Sequence, residues 1–165
     1  MLAGLIPFKG NIHLDGINLH KDPVSYRSLV HFAEAEPLYP DFLSGHELVG
    51  FYQEIRKAAT VQIDMLINLF KMHHFLKSSI GTYSSGMAKK LSLMLAFIGR
   101  PSLVLLDEPL AMLDAGSVHI LPELINAYHK EFKTGFIFSS HQPMNMLSLK
   151  TNEILITDHS LQLIS

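Results

Sequence analysis

The sequence predicts an α/β fold with a mostly parallel sheet, an antiparallel β hairpin and an inserted helical lobe. Three observations carry that reading. Short apolar runs, LVLL at 103–106 and GFIF at 135–138, have the length and continuity of strands buried on both faces. They alternate with amphipathic helical stretches, the pattern of βαβ units. Residues 44–98 read as helix after helix, which interrupts the alternation and implies a small all-helical insertion. The expected division is a core lobe over 1–40 and 100–165 and a helical lobe over 41–99.

The elements follow in order. The opening MLAGLIPF reads as the last turns of a helix; it has no basic leader or cleavage pattern, so no signal peptide is expected. NIHLDGINLH, residues 11–20, alternates apolar and polar around Asp15-Gly16, a strong hairpin signal. Ser44 and Glu47 have capping-box spacing and open a helix whose apolar face is Leu48, Phe51, Tyr52 and Ile55. A second helix covers about 60–74, with Met65, Leu66, Leu69 and Phe70 inward. A third runs from Ser84 to Ile98 and is ended by Gly99-Arg100-Pro101. A strand (102–107), a helix (117–131) and a strand (135–140) come next, then a short helix and two short strands, EILIT and LQLIS.

Composition narrows the function classes. With 165 residues the chain is one domain long and buries a real core. Thirteen basic against fifteen acidic residues argue against nucleic-acid binding driven by bulk charge. No cysteine is present, which excludes a disulfide scaffold and thiolate metal sites. The longest apolar run, Leu91 to Ile98, is too short to span a bilayer.

Four aliphatic residues run straight into Asp107 and Glu108. A buried, unpaired carboxylate costs several kcal/mol or is forced neutral, so this pair needs a partner. In parallel α/β sheets ligands bind beyond the carboxyl ends of the strands. Asp107-Glu108 lie at one such end and Ser139-Ser140-His141 at another. That set of groups suits a divalent metal, an activated water and a phosphate. Alone it is also the ordinary start of a helix, with acids at the positive end of the dipole.

The longer context decides. GTYSSGMAKKLSLMLAFIGRPSLVLLDEPLAMLD closely resembles the ATP-binding domain of ABC transporters. Ser84-Ser85-Gly86-Met87 stand where the family has its signature, and Asp107-Glu108 end the Walker B strand. Leu113-Asp114 end the D-loop, and His141 after Ser139-Ser140 matches the switch histidine. The likeness covers essentially the whole chain and implies a P-loop NTPase-like core. It implies that Asp107 holds Mg²⁺ and that Glu108 polarises the water attacking the γ-phosphate, with His141 contacting that phosphate. Ser84, Ser85, Gly86 and Met87 are expected to face ATP held by a second ATP-binding subunit, with Asp114 at the dimer interface. The implied setting is cytoplasmic, peripheral on the inner face of the cell membrane and docked on a transmembrane permease, with no nucleic-acid partner. The implied activity is ATP hydrolysis coupled to transport. A fragment of a soluble ABC-type ATPase and a non-catalytic half-site partner are the alternatives.

The chain departs from the family pattern in places. Ser85 replaces a signature glycine and Met87 the usual glutamine. The Q-loop glutamine falls at Ala35 or, with another gap, at Glu34. No GxxxxGK[ST] occurs in the 165 residues. The family places that loop just upstream of Met1, so the chain is expected to be an N-terminally truncated cassette, inactive alone and marginal in stability. The ten histidines, including His73-His74, are expected at the surface, and Lys89-Lys90 on a solvated helix face. Phe51, Tyr52, Phe70 and Phe75 are expected in the core or in a groove facing a membrane partner.

Overall fold

The computed structural model describes residues 1–141, 151–157 and 160–164. The hairpin of β1 (His13–Leu14) and β2 (Ile17–Asn18) turns through Asp15 and Gly16 at φ 49° and 79°. Two consecutive left-handed residues are what a tight two-residue hairpin demands, and Asp-Gly supplies them at low cost. Residues 1–8 are not the expected helix end. Gly4 sits at φ 73°, its N–H closes one turn on the Met1 carbonyl, and Met1, Leu2, Leu5 and Ile6 are exposed. Pro7 disfavours helical backbone at the residue before it.

A helix that the sequence reading did not anticipate follows, α1 (Pro23–Leu29). The Asp22 carboxylate accepts the Ser25 N–H and Pro23 opens the first turn, so both start signals were present. The chain then enters β3 (Val30–Ala33).

The insertion begins with α2 (Gly45–Ile55), and its capping box forms as expected. The Ser44 hydroxyl accepts the Glu47 N–H at 3.2 Å, and the Glu47 carboxylate accepts the Ser44 N–H at 2.8 Å. Its buried face is Leu48 and Val49 with Tyr52 alongside, while Phe51 and Ile55 are exposed. The apolar stripe is wider than the contact it makes, so Leu48 and Tyr52 lie inward as expected while Phe51 and Ile55 lie at its outer edge. In α3 (Thr60–Leu69), Ile63 and Leu66 are buried but Met65 is exposed. The helix ends short of residue 74 because Lys71 turns left-handed, at φ 55°. Phe70, Met72 and Leu76 enter the core from the turns beyond. Ser84 caps α4 (Ser85–Ala96), which ends before the left-handed Gly99.

The central sheet has the order β3-β4-β5 and is parallel throughout, with β4 at Leu103–Asp107 and β5 at Gly135–Ser139. Alternation along β4 divides the core. Val104 and Leu106 join α4 and the later helix on one face; Leu105 joins Leu19, Tyr26 and Val30 on the other. A strand apolar on both faces needs both faces covered, which is why LVLL is continuous. Between β4 and β5 run α5 (Ala115–Val118) and α6 (Ile120–Phe132), separated at His119. The expected helix at 117 starts earlier because Asp114 caps it, its carboxylate accepting the Ser117 N–H. The short helix expected after β5 falls largely on 142–150, outside the described residues. The two C-terminal strands form an antiparallel pair, β6 (Ile154–Thr157) and β7 (Ser160–Leu163), with exposed side chains. Among the described residues no helix is long and apolar enough to cross a membrane.

Candidate functional site

The register of β4 against β5 sets Asp107 beside Ser139. Both residues close their strands, so both leave the sheet at its carboxyl end. There the Ser139 hydroxyl donates to the Asp107 carboxylate at 2.5 Å and accepts the Glu108 N–H at 3.2 Å. One hydroxyl thus fixes a carboxylate oxygen and the next backbone amide together. Two residues later, His141 Nε2 stands 3.5 Å from a Glu108 carboxylate oxygen. The His141 side chain is 96% exposed and that of Glu108 27%, so the pair opens to solvent from a shielded carboxylate. Asp107, Glu108 and His141 are therefore brought together, and Ser139, named in the sequence without a role of its own, is the group that organises them.

The chain turns sharply at this point. Glu108 and Met112 lie at φ 43° and 64°, left-handed conformations that cost a side-chain-bearing residue of the order of 1–3 kcal/mol each. Glu108 is held by the Ser139 bond and by its own carbonyl, which accepts the Ala111 N–H. Such strain persists where surrounding contacts over-determine it, and here it throws residues 109–114 back across the start of α4.

That return brings the second group of predicted residues into contact with the first. Ser84 is the N-cap of α4, its hydroxyl accepting the Met87 N–H, and Ser85 and Gly86 form the first turn. A Cβ on Gly86 would stand 2.9 Å from the Met112 carbonyl oxygen, so only glycine fits against residues 109–114. Lys90 reaches Asp114 at 2.5 Å and, with the Ser117 bonds, holds the Asp114 carboxyl down at about 2. Asp114 is thus both a helix cap and the partner of α4.

Gly86→Ala is expected to destabilise by about 1 kcal/mol. Helix propensity alone would give a gain of about that size, while overpacking against backbone costs about 1–3 kcal/mol. Urea denaturation checks the sign; a net gain would mean that Met112 yields.

The expected solvated pair Lys89-Lys90 is corrected at both positions: Lys90, paired with Asp114, keeps 16% side-chain exposure, and Lys89 is fully buried. The Lys89 ammonium donates to the carbonyls of Glu34, Ala35 and Asp107. Burial holds Lys89 below the usual lysine range, while the nearby Asp107 and Glu108 charges pull it back up. Charge pairing in sequence points to solvent, and nothing local reveals three carbonyls converging from two strand ends. At both positions considered for the Q-loop, Glu34 and Ala35, what the structure engages is the backbone carbonyl. The expectation of surface histidines fails at His31, which is 2% exposed on β3.

The family model for ABC transporters matches residues 1–111. The chain is 32% identical over 163 residues to the ABC transporter ATP-binding protein NatA of Bacillus subtilis, covering 94% of this chain and 65% of that protein. It is 33% identical over 134 residues to the ABC-type transporter ATP-binding protein EcsA of the same organism, covering 78% of this chain and 54% of that one. The chain thus spans between about half and two thirds of these relatives' lengths. A solved ATP-binding subunit of an ABC transporter superposes with a TM-score of 0.77 at 26% identity, over 85% of this chain and 60% of that chain. A post-hydrolysis dimer of an ATP-binding cassette bound to ADP and Pi shares the fold, with a TM-score of 0.73 at 16% identity, over 85% and 66%. Strand order, strained acidic turn, the capped start of α4 and these likenesses agree, and the chain belongs to the ABC transporter family.

Proposed function

We propose that this chain is the ATP-binding subunit of an ABC transporter. It works as one of two such subunits docked on a transmembrane permease at the inner face of the cell membrane. The observation that carries the reading is the β4–β5 register, which gathers Asp107, Glu108, Ser139 and His141 at one sheet end. The core lobe of 1–40 and 100–165 would hold that cluster, and the helical lobe of 41–99 would present the signature turn.

The donor set fits Mg²⁺. Mg²⁺ keeps several waters and takes one or two carboxylates together with substrate phosphates. Asp107 offers one carboxylate, partly buried and oriented by a hydroxyl, and among the described residues no cage of three or more His, Asp or Glu forms. When bound with ATP, the ion would neutralise charge on the phosphate oxygens. Glu108 is the group to accept a proton from the attacking water, a contribution of roughly 10²–10⁴-fold. His141, reaching over the Glu108 carboxylate, is suited to contact the terminal phosphate. Ser84 to Met87 offer free N–H groups at a helix start, where a phosphate is favoured, to ATP held by the other subunit.

Affinity purification of the chain from detergent-solubilised membranes, with ATP and Mg²⁺ present, tests this reading. A second ATP-binding subunit and a polytopic membrane protein are expected together in the eluate. Recovery from the soluble fraction with neither would favour a soluble ATPase and sink the transporter reading.

The 165 residues contain no GxxxxGK[ST], the loop that cradles the phosphates. The purified 165-residue chain alone is therefore expected to release no phosphate from ATP above a protein-free control. Release that disappears in Glu108→Gln would overturn that expectation. The signature turn, in contrast, has its cap, its glycine contact and its Lys90–Asp114 pair within this chain. That supports a second reading, a half-site lending Ser84–Gly86 to a partner's ATP. Its mark would be a partner ATPase stimulated by the chain but not by a Ser84→Ala variant.

A further inference from the structure

Among the described residues one lysine is completely buried, Lys89 at 0% exposure. A buried cation is tolerated only when its donors are satisfied, and an ammonium has three donors and no acceptor. Lys89 Nζ uses them on three backbone carbonyls: Glu34 at 2.7 Å, Ala35 at 3.3 Å and Asp107 at 2.8 Å. These carbonyls belong to the loop leaving β3 and to the last residue of β4, and the lysine belongs to α4. Three segments distant in sequence meet at one nitrogen. The next residue, Lys90, points another way round the helix and holds Asp114.

We propose that Lys89 is a positioning residue that fixes the β4 end bearing Asp107-Glu108, and the loop at Glu34-Ala35, to the signature helix. The proposal rests on the functional reading above, since it makes a shift of α4 against the phosphate of one site a shift of the acids at the other. Packing alone does not account for this arrangement. The side chain's polar end makes the three contacts, and their acceptors lie in the loop leaving β3 and on the last residue of β4, where the acidic turn begins. Glu108 is strained and is held from its own side by Ser139 and Ala111, and the Lys89 bond to the Asp107 carbonyl holds the same turn from the α4 side.

Lys89→Met keeps length and removes the donors, whereas Lys89→Gln keeps two. The first readout is NMR of the labelled chain: couplings across the hydrogen bonds from Lys89 Nζ to the three carbonyl carbons, and amide exchange. In the unsubstituted chain the couplings are expected to all three carbons, and their absence would overturn the proposal. In Lys89→Met, amides of Ala35, Glu36 and Glu108 are expected to exchange at least about tenfold faster than those of Ile63 and Leu66, once global stability is matched with denaturant. Lys89→Gln is expected to restore part of the difference. Uniform acceleration across all these amides would overturn the proposal by showing a merely structural role. If Lys89→Met does not fold, Lys89→Gln carries the comparison, with about threefold local acceleration expected and none overturning it.

The second readout uses Mn²⁺ alone as a paramagnetic probe. Broadening centred on Asp107 is expected in the unsubstituted chain, with several-fold weaker affinity in the lysine variants. Unchanged affinity would overturn the link to the site. No broadening at Asp107 in the unsubstituted chain would remove the metal reading, while the exchange result would still decide the role of Lys89.

Discussion

Replacing Phe97 with alanine is expected to cost about 3–5 kcal/mol, the range for deleting a fully buried aromatic ring. Phe97 is 0% exposed at the end of α4, with its ring edge-on to Tyr128 at 5.1 Å and 6.1 Å from Phe136. One side chain therefore joins α4, α6 and β5, and its carbonyl accepts the Tyr128 hydroxyl. Removing the ring leaves a cavity whose walls are three different elements, none of which can close it without moving the others. Domains of this size have about 5–15 kcal/mol to lose, so the variant sits near the threshold of folding. Urea unfolding followed by far-ultraviolet dichroism gives the value. Phe97→Leu keeps most of the volume and is expected to lose less than half as much; equal losses would show that ring geometry, not volume, is what the site requires.

The second large effect is a loss of stability in mild acid, centred on His31. The ring is buried on β3, with Nδ1 2.9 Å from the Ala96 carbonyl and 2.7 Å from an Arg56 guanidinium nitrogen. That guanidinium also donates to the Leu95 carbonyl. Burial first, and the Arg56 charge second, push the His31 pKa down to about 3, against an ordinary value of 6.5. The folded state keeps the ring neutral while the unfolded state protonates below 6.5. The unfolded chain binds more protons in that window, so stability is complete above about pH 6.5 and falls as the pH drops towards 3. The full shift corresponds to roughly 4–5 kcal/mol, of which about 2 is gone by pH 5. His31→Phe is expected to flatten the profile between pH 6.5 and 4 even if it lowers the plateau. A variant that keeps the same slope would place the titration elsewhere. Asp114, held at about 2 by Lys90, contributes only in a more acid window.

Much of the fold was legible because its signals are local. Asp15-Gly16 dictates its own turn, and Ser44 with Glu47 satisfies its own helix end. LVLLDEP announces a buried strand and an acidic turn within seven residues. What failed depends on neighbours. Helical periodicity finds an apolar stripe on α2 but not how much of it α3 and α4 cover, so Phe51 and Ile55 were assigned inward and lie outward. In the candidate site, Asp107, Glu108 and His141 were found through residue type and order. Lys89 was misread because burial of a cation depends on carbonyls from positions 34, 35 and 107, which no window around it contains. His31 escaped for the same reason, since its partners come from α4 and from just past the end of α2.

The parallel register has a consequence for how the chain reaches this state. Val30 must find Leu103, whereas Leu103 must find Gly135, so the first closure spans a little over twice the second. Closure entropy grows only with the logarithm of length, so the longer search adds about 0.7 kcal/mol to a flexible chain. That small penalty shrinks further if the three intervening helices condense first and bring the ends of their segment together. Productive folding would then begin inside the insertion and in the β4–β5 unit, with β3 docking last. In that order the carbonyls of Glu34 and Ala35 are the last two of the three acceptors to reach the Lys89 ammonium.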